Sequence, residues 1–367
     1  MGQNIVSKFA FVPPKINQGL NYENIFIIEI DKNKRIPIVW LFPENKSNSK
    51  INDSNDSQKQ KEKQKEMEEK IKSRFSIIYS HGSSECLSMI EFLIEKFVKK
   101  TRTNFFAYEY IGYPFTQGKT SEKNIYKCAE AAYNFVTNTL KIPSNRIILF
   151  GYSIGSGPTI ELATKKNCAG VILVSPLLSC IRSFLKAKKR LPNDIFNNLE
   201  KMPKVNFPTL IISGSDDQLI PPDHSQILYK ALPNKSQYKL HMIQGGGHND
   251  LESEFGSEFY GVIDDFLIYL SKKNPTLDDL DDSNFHPINQ KLSVLDLDDS
   301  RFTTINFQNS IDSFTYDDIF CAPFILSQSQ FPFFGDSCNL ENFDTFPHSQ
   351  QIEHNQNENQ NQNQKSK

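Results

Sequence analysis

The chain has 367 residues, 38% of them hydrophobic, with a formal net charge of −2 and a mean hydropathy of −0.48. A charge this close to zero gives no electrostatic basis for nucleic-acid binding, and no apolar run approaches the roughly 20 residues of a membrane-spanning helix. The length suits one α/β enzyme domain with polar appendages, or two average domains.

The start of the chain carries a candidate lipidation site and no apolar stretch of the kind that opens a secretory signal. Removal of Met1 would expose Gly2, a candidate for N-myristoylation, although Val6 holds the usual hydroxyl position and Ser7 follows it. An unmodified terminus is the alternative. We expect residues 1–20 to form an N-terminal extension that anchors the protein on a membrane. The six cysteines are scattered without C-x-x-C pairing, which favours reduced thiols in the cytosol.

A folded α/β domain is expected over residues 21–272. Extended runs at 25–30 and 36–42 flank a polar turn and predict an N-terminal β-hairpin, in which Pro37 indicates a strand near a sheet edge. Residues 44–73 have almost no apolar side chains, so we predict a disordered polar insertion in that domain. Residues 273–367 are rich first in Asp and later in Asn and Gln, which predicts a mostly disordered, low-complexity tail.

Strands and helices alternate through the middle of the chain. Short apolar runs predict strands at 75–80, 104–110, 146–150, 169–175, 208–214 and 238–243. Helical spacing separates or follows them at 87–100, 121–140, 158–166, 177–205 and 255–270. This alternation predicts a mainly parallel, doubly wound sheet.

A G-x-S-x-G motif lies at residues 151–155, with Ser153 at its centre. A buried strand precedes it and a helix follows it, which is the setting of a nucleophile elbow. Glycines on both sides remove the Cβ atoms that so sharp a turn would crowd. The alternative is an ordinary strand-to-helix turn with an incidental serine.

An acid and a histidine follow two later strands. Asp217 occupies the acid position of a G-x-x-D-x-x-I frame at 214–220, and His248 follows a run of three glycines that lacks a phosphate-loop lysine. The order serine, acid, histidine, each past the end of a strand, is typical of α/β-hydrolases, and the ends of parallel strands converge. We expect His248 to take the proton of Ser153 and a carboxylate to orient the imidazole. The acids with weaker claims are Asp216, Asp223 and Asp250.

The loop at 81–84 is the predicted source of an oxyanion donor. Its glycine directly follows a strand, and backbone N–H groups there and after the serine suit a developing oxyanion. The predicted donors are the backbones of Ser83 and Ile154. His81 is interpreted as a residue that shapes this loop. Neither a metal-ligand cluster nor a cofactor loop is evident, so no cofactor is expected.

Residues 9 to about 270 resemble the ABHD17 (FAM108) family of α/β-hydrolases. The motifs that carry the resemblance are Lys8-Phe9-Ala10-Phe11-Val12-Pro13-Pro14, Ser80-His81-Gly82, Tyr110-x-Gly112-Tyr113, Ser121-Glu122-x-Asn124-x-Tyr126, Gly151-x-Ser153-Ile154-Gly155-x-x-Pro158-Thr159, Ser175-Pro176-Leu177 and Gly247-His248-Asn249-Asp250.

The resemblance implies a palmitoyl-protein thioesterase that removes S-acyl groups from membrane-associated proteins, with Ser153, Asp217 and His248 as its triad. It also implies peripheral association with the cytosolic face of the plasma membrane or of endosomes. The family begins with a palmitoylated cysteine cluster, whereas residues 1–15 here contain no cysteine, so a myristate on Gly2 would have to replace that anchor. The alternatives are a lipid esterase or serine peptidase of the same fold, and an inactive scaffold that binds partners through its tail.

Overall fold

The computed structural model describes residues 6, 10–16, 19–20, 22, 24–31, 34–45, 74–185, 192–274 and 285–286. The lipidation candidate Gly2, most of the predicted insertion and almost all of the predicted tail lie outside these residues and stay predictions.

An eight-stranded sheet forms the centre of the described chain. In chain order its strands are β1 (Ile25–Asp31), β2 (Lys34–Leu41), β4 (Ser76–Ser80), β5 (Asn104–Tyr108), β6 (Ile147–Tyr152), β7 (Gly170–Val174), β8 (Thr209–Gly214) and β9 (Gln237–Ile243). Two short strands, β3 (Glu44–Asn45) and β10 (Phe285–His286), pair with each other. The spatial order of the sheet is β1-β2-β5-β4-β6-β7-β8-β9. The β1–β2 and β2–β5 pairs are antiparallel and the others are parallel, which confirms the predicted, mainly parallel sheet with its hairpin.

The central strands are short runs of Ile, Val, Leu and Phe because both of their faces are covered. Every residue of β4, β5 and β7 is buried, as expected for parallel strands under helices on both sides. The edge strand β9 is half-buried along most of its length. At the opposite edge β1 is outermost, so Pro37 lies in β2, one strand in from the edge.

Helices cover both faces of the sheet. They are α1 (Glu91–Thr101), α2 (Glu122–Asn134), α3 (Ser156–Ala163), α4 (Cys180–Leu185), α5 (Asn198–Lys201), α6 (Pro222–Ala231) and α7 (Gly256–Lys273). Successive strand residues point to opposite faces, and the buried side chains accordingly form two clusters. Phe97 of α1 and Ile263 of α7 share one cluster with Ile77, while Ile125 of α2 and Ile160 of α3 share the other with Ile78. The sheet is therefore doubly wound, as predicted.

Three predicted helices differ most from the observed ones. The helix expected at 87–100 begins at Glu91, after a turn closed by a hydrogen bond from Met89 N to Cys86 O. The helix expected at 121–140 starts at its Ser121 cap, whose side chain accepts from Asn124 N, and passes into a π-helical turn at Phe135–Thr139. The helical stretch expected at 177–205 is two short helices, α4 and α5, separated by non-helical backbone at 193–197. In the described part of the chain, no helix is both long and apolar enough to cross a membrane.

Candidate active site

The backbone at Ser153 adopts the left-handed conformation that a nucleophile elbow needs. Its φ of 53° is in a region that side chains other than glycine avoid, at a cost of order 1 kcal/mol. A Cβ on Gly151 would lie 2.6 Å from Thr159 Oγ1, and one on Gly155 would overlap the carbonyl of Ser80. The glycines therefore let the turn from β6 into α3 close tightly against the end of β4, with Ser153 at its apex.

A continuous chain of hydrogen bonds joins Ser153, His248 and Asp217. The Oγ atom of Ser153 lies 3.0 Å from His248 Nε2, and His248 Nδ1 lies 2.7 Å from Asp217 Oδ2. Because a carboxylate only accepts, Nδ1 carries the proton of the neutral imidazole and Nε2 is free to accept from the serine. The Asp217 side chain is fully buried and that of His248 is 9% exposed. The structure thus brings the three predicted residues together in the geometry of a proton relay.

The loop after β8 fixes Asp217, whereas the competing acids bond to other groups or are exposed. The second oxygen of Asp217 accepts from the backbone N–H groups of Leu219 and Ile220, at 2.9 and 2.8 Å. Asp216 is exposed and accepts from the hydroxyl of Ser215. The weaker candidates lie elsewhere: Asp250 accepts from Gly247 N in the histidine loop, and Asp223 is exposed in the first turn of α6.

Tyr152 supports the histidine, a role that the motif did not predict. Its hydroxyl lies 3.0 Å from the carbonyl of His248 and 2.8 Å from Asn249 Oδ1, and it donates to this pair of acceptors. The ring also lies beside the imidazole, with centroids 5.5 Å apart. Burial raises the pKa of Tyr152 well above its usual value, so the hydroxyl keeps its proton and remains a donor. The only indication of this role in the sequence is an aromatic residue at the variable position before Ser153.

The loop of the predicted oxyanion donor packs against the elbow. A Cβ on Gly82 would lie 3.1 Å from the ring of Tyr152. The carbonyl of Ser83 accepts from the hydroxyl of Tyr113 at 2.8 Å. Ser83 is therefore held beside the turn that contains Ile154, the other predicted donor.

His81 is part of the loop's support and lies outside the proton relay. It is fully buried, with Nε2 2.9 Å from Glu109 Oε1 and Nδ1 2.8 Å from the carbonyl of Gly82. Burial lowers its pKa, but the charge and hydrogen bond of Glu109 outweigh burial, so the pKa of His81 is raised overall. Two further histidines have other partners: His241 pairs with Glu258, and His224 accepts from Leu178 N.

No group of three or more His, Cys, Asp or Glu side chains is arranged to hold a metal ion within the described ranges. The cysteines Cys86, Cys128, Cys168 and Cys180 are free and buried. Burial raises the pKa of the Cys86 thiol to about 11, which keeps it protonated and unreactive near neutral pH.

Comparisons with known proteins agree with this architecture. A family model described as alpha/beta hydrolase fold matches residues 179–255, and one described as Chlamydia CHLPS protein (DUF818) matches residues 66–169. An esterase of Pyrococcus furiosus superimposes with a TM-score of 0.52 at 18% identity, over 70% of this chain and 99% of that one. At that identity the likeness shows the fold alone.

Two relatives are closer in sequence. Alpha/beta hydrolase domain-containing protein aho-3 of Caenorhabditis elegans is 30% identical over 250 residues, which are 68% of this chain and 74% of that protein. Human alpha/beta hydrolase domain-containing protein 17C is 35% identical over 181 residues, which are 49% of this chain and 54% of that protein. The match to protein 17C thus spans about half the length of that relative. On these grounds the chain belongs to the ABHD17 family of α/β-hydrolases.

Proposed function

We propose that this chain is a serine hydrolase that cleaves acyl thioesters through an acyl-enzyme, and that its substrates are S-palmitoylated proteins. The observation that carries the serine mechanism is the relay from Asp217 through His248 to Ser153 Oγ at the apex of a strained turn. The thioester substrate rests on the family resemblance.

Acylation begins when Ser153 Oγ attacks the carbonyl carbon of the acyl group and its proton passes to His248 Nε2. The negative charge that develops on the carbonyl oxygen is stabilised by the backbone N–H groups of Ser83 and Ile154. Asp217 keeps Nδ1 protonated and stabilises the imidazolium ion. As the carbon–sulfur bond breaks, His248 returns the proton to the leaving cysteine sulfur.

Deacylation repeats these steps with water. His248 Nε2 takes a proton from a water molecule, whose oxygen attacks the acyl-serine carbonyl. The bond to Ser153 Oγ then breaks, Oγ recovers a proton from His248, and the fatty acid leaves. After both half-reactions Ser153, His248 and Asp217 have returned to their starting states.

The decisive variant is Ser153→Ala. Removal of the nucleophile should lower kcat on a palmitoyl-cysteine peptide by at least about 10³-fold and abolish labelling by a fluorophosphonate. Ser257→Ala, at an exposed position at the start of α7, is the matched control and should keep full activity. Parallel assays on a monoacylglycerol and an amide identify the substrate class. Turnover of the amide alone would contradict the thioesterase, and labelling of Ser153→Ala equal to wild type would contradict the serine mechanism.

In cells, the same pair of variants identifies protein substrates. Acyl-biotin exchange compares the S-acylation of all proteins after expression of wild type or Ser153→Ala. Wild type should reduce the acylation of its substrates and Ser153→Ala should not. Equal acylation in both cells would argue against a depalmitoylase.

Peripheral membrane association through a myristate on Gly2 belongs to the same proposal. The glycine after Met1 and the lack of cysteine in residues 1–15 motivate it. A single myristoyl chain binds a membrane only marginally and reversibly. Gly2→Ala prevents its attachment, so this variant should move the protein from the membrane fraction to the supernatant. Incorporation of a myristate analogue tests whether Gly2 is acylated. A distribution of Gly2→Ala equal to that of wild type would remove Gly2 from the proposal.

A further inference from the structure

Glu85 places a carboxylate inside the loop that supplies the proposed oxyanion donor. The residue is half-buried between β4 and α1. Its Oε2 atom accepts from Gly82 N at 2.6 Å and from the hydroxyl of Tyr79 at 3.3 Å. A hydrogen bond from a backbone N–H to an ionised carboxylate is shorter and stronger than one to a neutral acceptor. Glu85 therefore fixes the His81–Gly82 peptide, which is adjacent to the peptide that carries the Ser83 N–H.

The space around Gly82 leaves this loop little room to move. A Cβ at that position would lie 3.1 Å from Glu85 Oε2 on one side and 3.1 Å from the ring of Tyr152 on the other. Gly82 is thus enclosed between the carboxylate and the elbow. A loss of the bond to Glu85 would free the loop on the side opposite the elbow.

The carboxylate of Glu85 also lies within electrostatic reach of His248. The titratable groups that face Glu85 are Tyr79 from β4, His81 from the loop after it, Tyr113 from the loop after β5, Tyr152 from the elbow and His248 from the loop after β9. In this set only the histidines can carry a positive charge, and that charge lowers the pKa of Glu85.

We propose that Glu85 is a positioning residue of the active site, which holds the His81–Gly82 peptide in place and through it the backbone N–H of Ser83 during acyl transfer. This inference rests on the proposed serine mechanism. Glu85 acts through the loop, without contact with the reacting atoms.

The position of Glu85 makes this support sensitive to pH. Burial raises the pKa of Glu85 above its usual value, although the Gly82 N–H and His81 lower it. Protonation in mild acid removes the negative charge and turns the bond from Gly82 into a weaker, neutral one. The contribution of Glu85 to catalysis should therefore fade as the pH falls through this raised pKa.

Two substitutions separate the charge from the hydrogen bond. Glu85→Gln keeps an oxygen that can accept from Gly82 N and Tyr79 but carries no charge, whereas Glu85→Ala removes both. Near pH 8 we expect kcat on an activated ester to fall about tenfold in Glu85→Gln and about 100-fold in Glu85→Ala, with KM within about twofold of wild type. Glu254→Gln, at an exposed position before α7, removes the same charge and should have no effect.

The ratio of wild-type kcat to Glu85→Gln kcat, measured from pH 5 to pH 9, isolates the titration of Glu85. The ratio should fall towards one as the pH decreases, because protonated Glu85 resembles glutamine. A ratio near one at every pH, or a ratio that does not change with pH, would overturn the proposal if Ser153→Ala abolishes turnover. If Ser153→Ala retains full turnover, the proposed serine mechanism fails instead.

A second readout needs no turnover. The sequence contains a single His-Gly pair, His81-Gly82, so carbonyl-labelled histidine with ¹⁵N-glycine selects the Gly82 amide in an NMR spectrum. We expect its proton resonance to lie downfield at pH 8 and to move upfield both in Glu85→Gln and on acidification. A resonance that is the same in both proteins at every pH would overturn the proposal whatever the enzyme hydrolyses.

Discussion

The hydroxyl of Tyr152 links the serine elbow to the histidine loop. It bonds to the backbone of His248 and to the side chain of Asn249, while its ring lies against Gly82. A single residue next to Ser153 thus contacts both the loop at 81–84 and the histidine loop. That carbonyl belongs to His248, the proposed general base, so we expect the hydroxyl of Tyr152 to help set the distance between His248 Nε2 and Ser153 Oγ.

Tyr152→Phe removes this hydroxyl and keeps the ring. We expect kcat/KM to fall roughly three- to tenfold, because a lost neutral hydrogen bond is worth about 1 kcal/mol and 1.4 kcal/mol is a factor of ten. Steady-state kinetics on an activated ester measure the effect, and Tyr229→Phe on α6 is the control for the loss of a tyrosine hydroxyl. A Tyr152→Phe enzyme with wild-type kcat/KM would show that the histidine loop holds its position without this bond.

At the level of secondary structure, local pattern predicted the strands better than the helix ends. The central strands are buried on both faces, so their apolar runs are continuous and easily read. The start of α1 is set by a distant group instead. Glu109 accepts from Leu87 N at 3.0 Å across 22 residues of sequence and draws the backbone before Glu91 into a turn. The stretch at 177–205 is interrupted in a similar way, because Phe196 N donates to Glu122 of α2.

The difference between local sequence patterns and contacts to distant groups also explains which site residues the sequence indicated. Ser153, Asp217 and His248 each follow a strand in a recognisable frame, and the parallel sheet brings the strand ends together. Tyr152 and Glu85 carry no such pattern. Their significance comes from contacts between loops, such as that of Tyr152 with Asn249, 97 residues away. Contacts of this kind exist only once the chain has folded.

Across the whole molecule, a buried pair of charged groups connects the ends of two central strands. His81 follows β4 and Glu109 follows β5, and both side chains are fully buried. Glu109 also accepts from the backbone N–H groups of Leu87 and Tyr110. Its carboxylate therefore joins the loop at 81–84, the loop after β5 and the turn before α1 into one unit beside the candidate active site.

Glu109→Gln should destabilise the fold by about 3 kcal/mol, because removal of one partner leaves a buried charge or polar group uncompensated. The pH dependence has a definite sign. The folded-state pKa of His81 is raised, so the ion pair contributes fully below the ordinary histidine pKa of about 6.5 and loses its contribution as the pH rises through the folded value. The difference in unfolding free energy between wild type and variant should therefore be largest in mild acid.

Urea unfolding of both proteins at several pH values between 5 and 9 measures this difference. Glu130→Gln breaks the surface pair with Lys166, in which Glu130 is 51% exposed, and should cost less than about 1 kcal/mol at every pH. A Glu109→Gln penalty that stays constant or grows with pH would mean that neutral His81 holds the loop equally well. In that case the carboxylate would act through its backbone hydrogen bonds, and the loop at 81–84 would keep its support across the whole pH range.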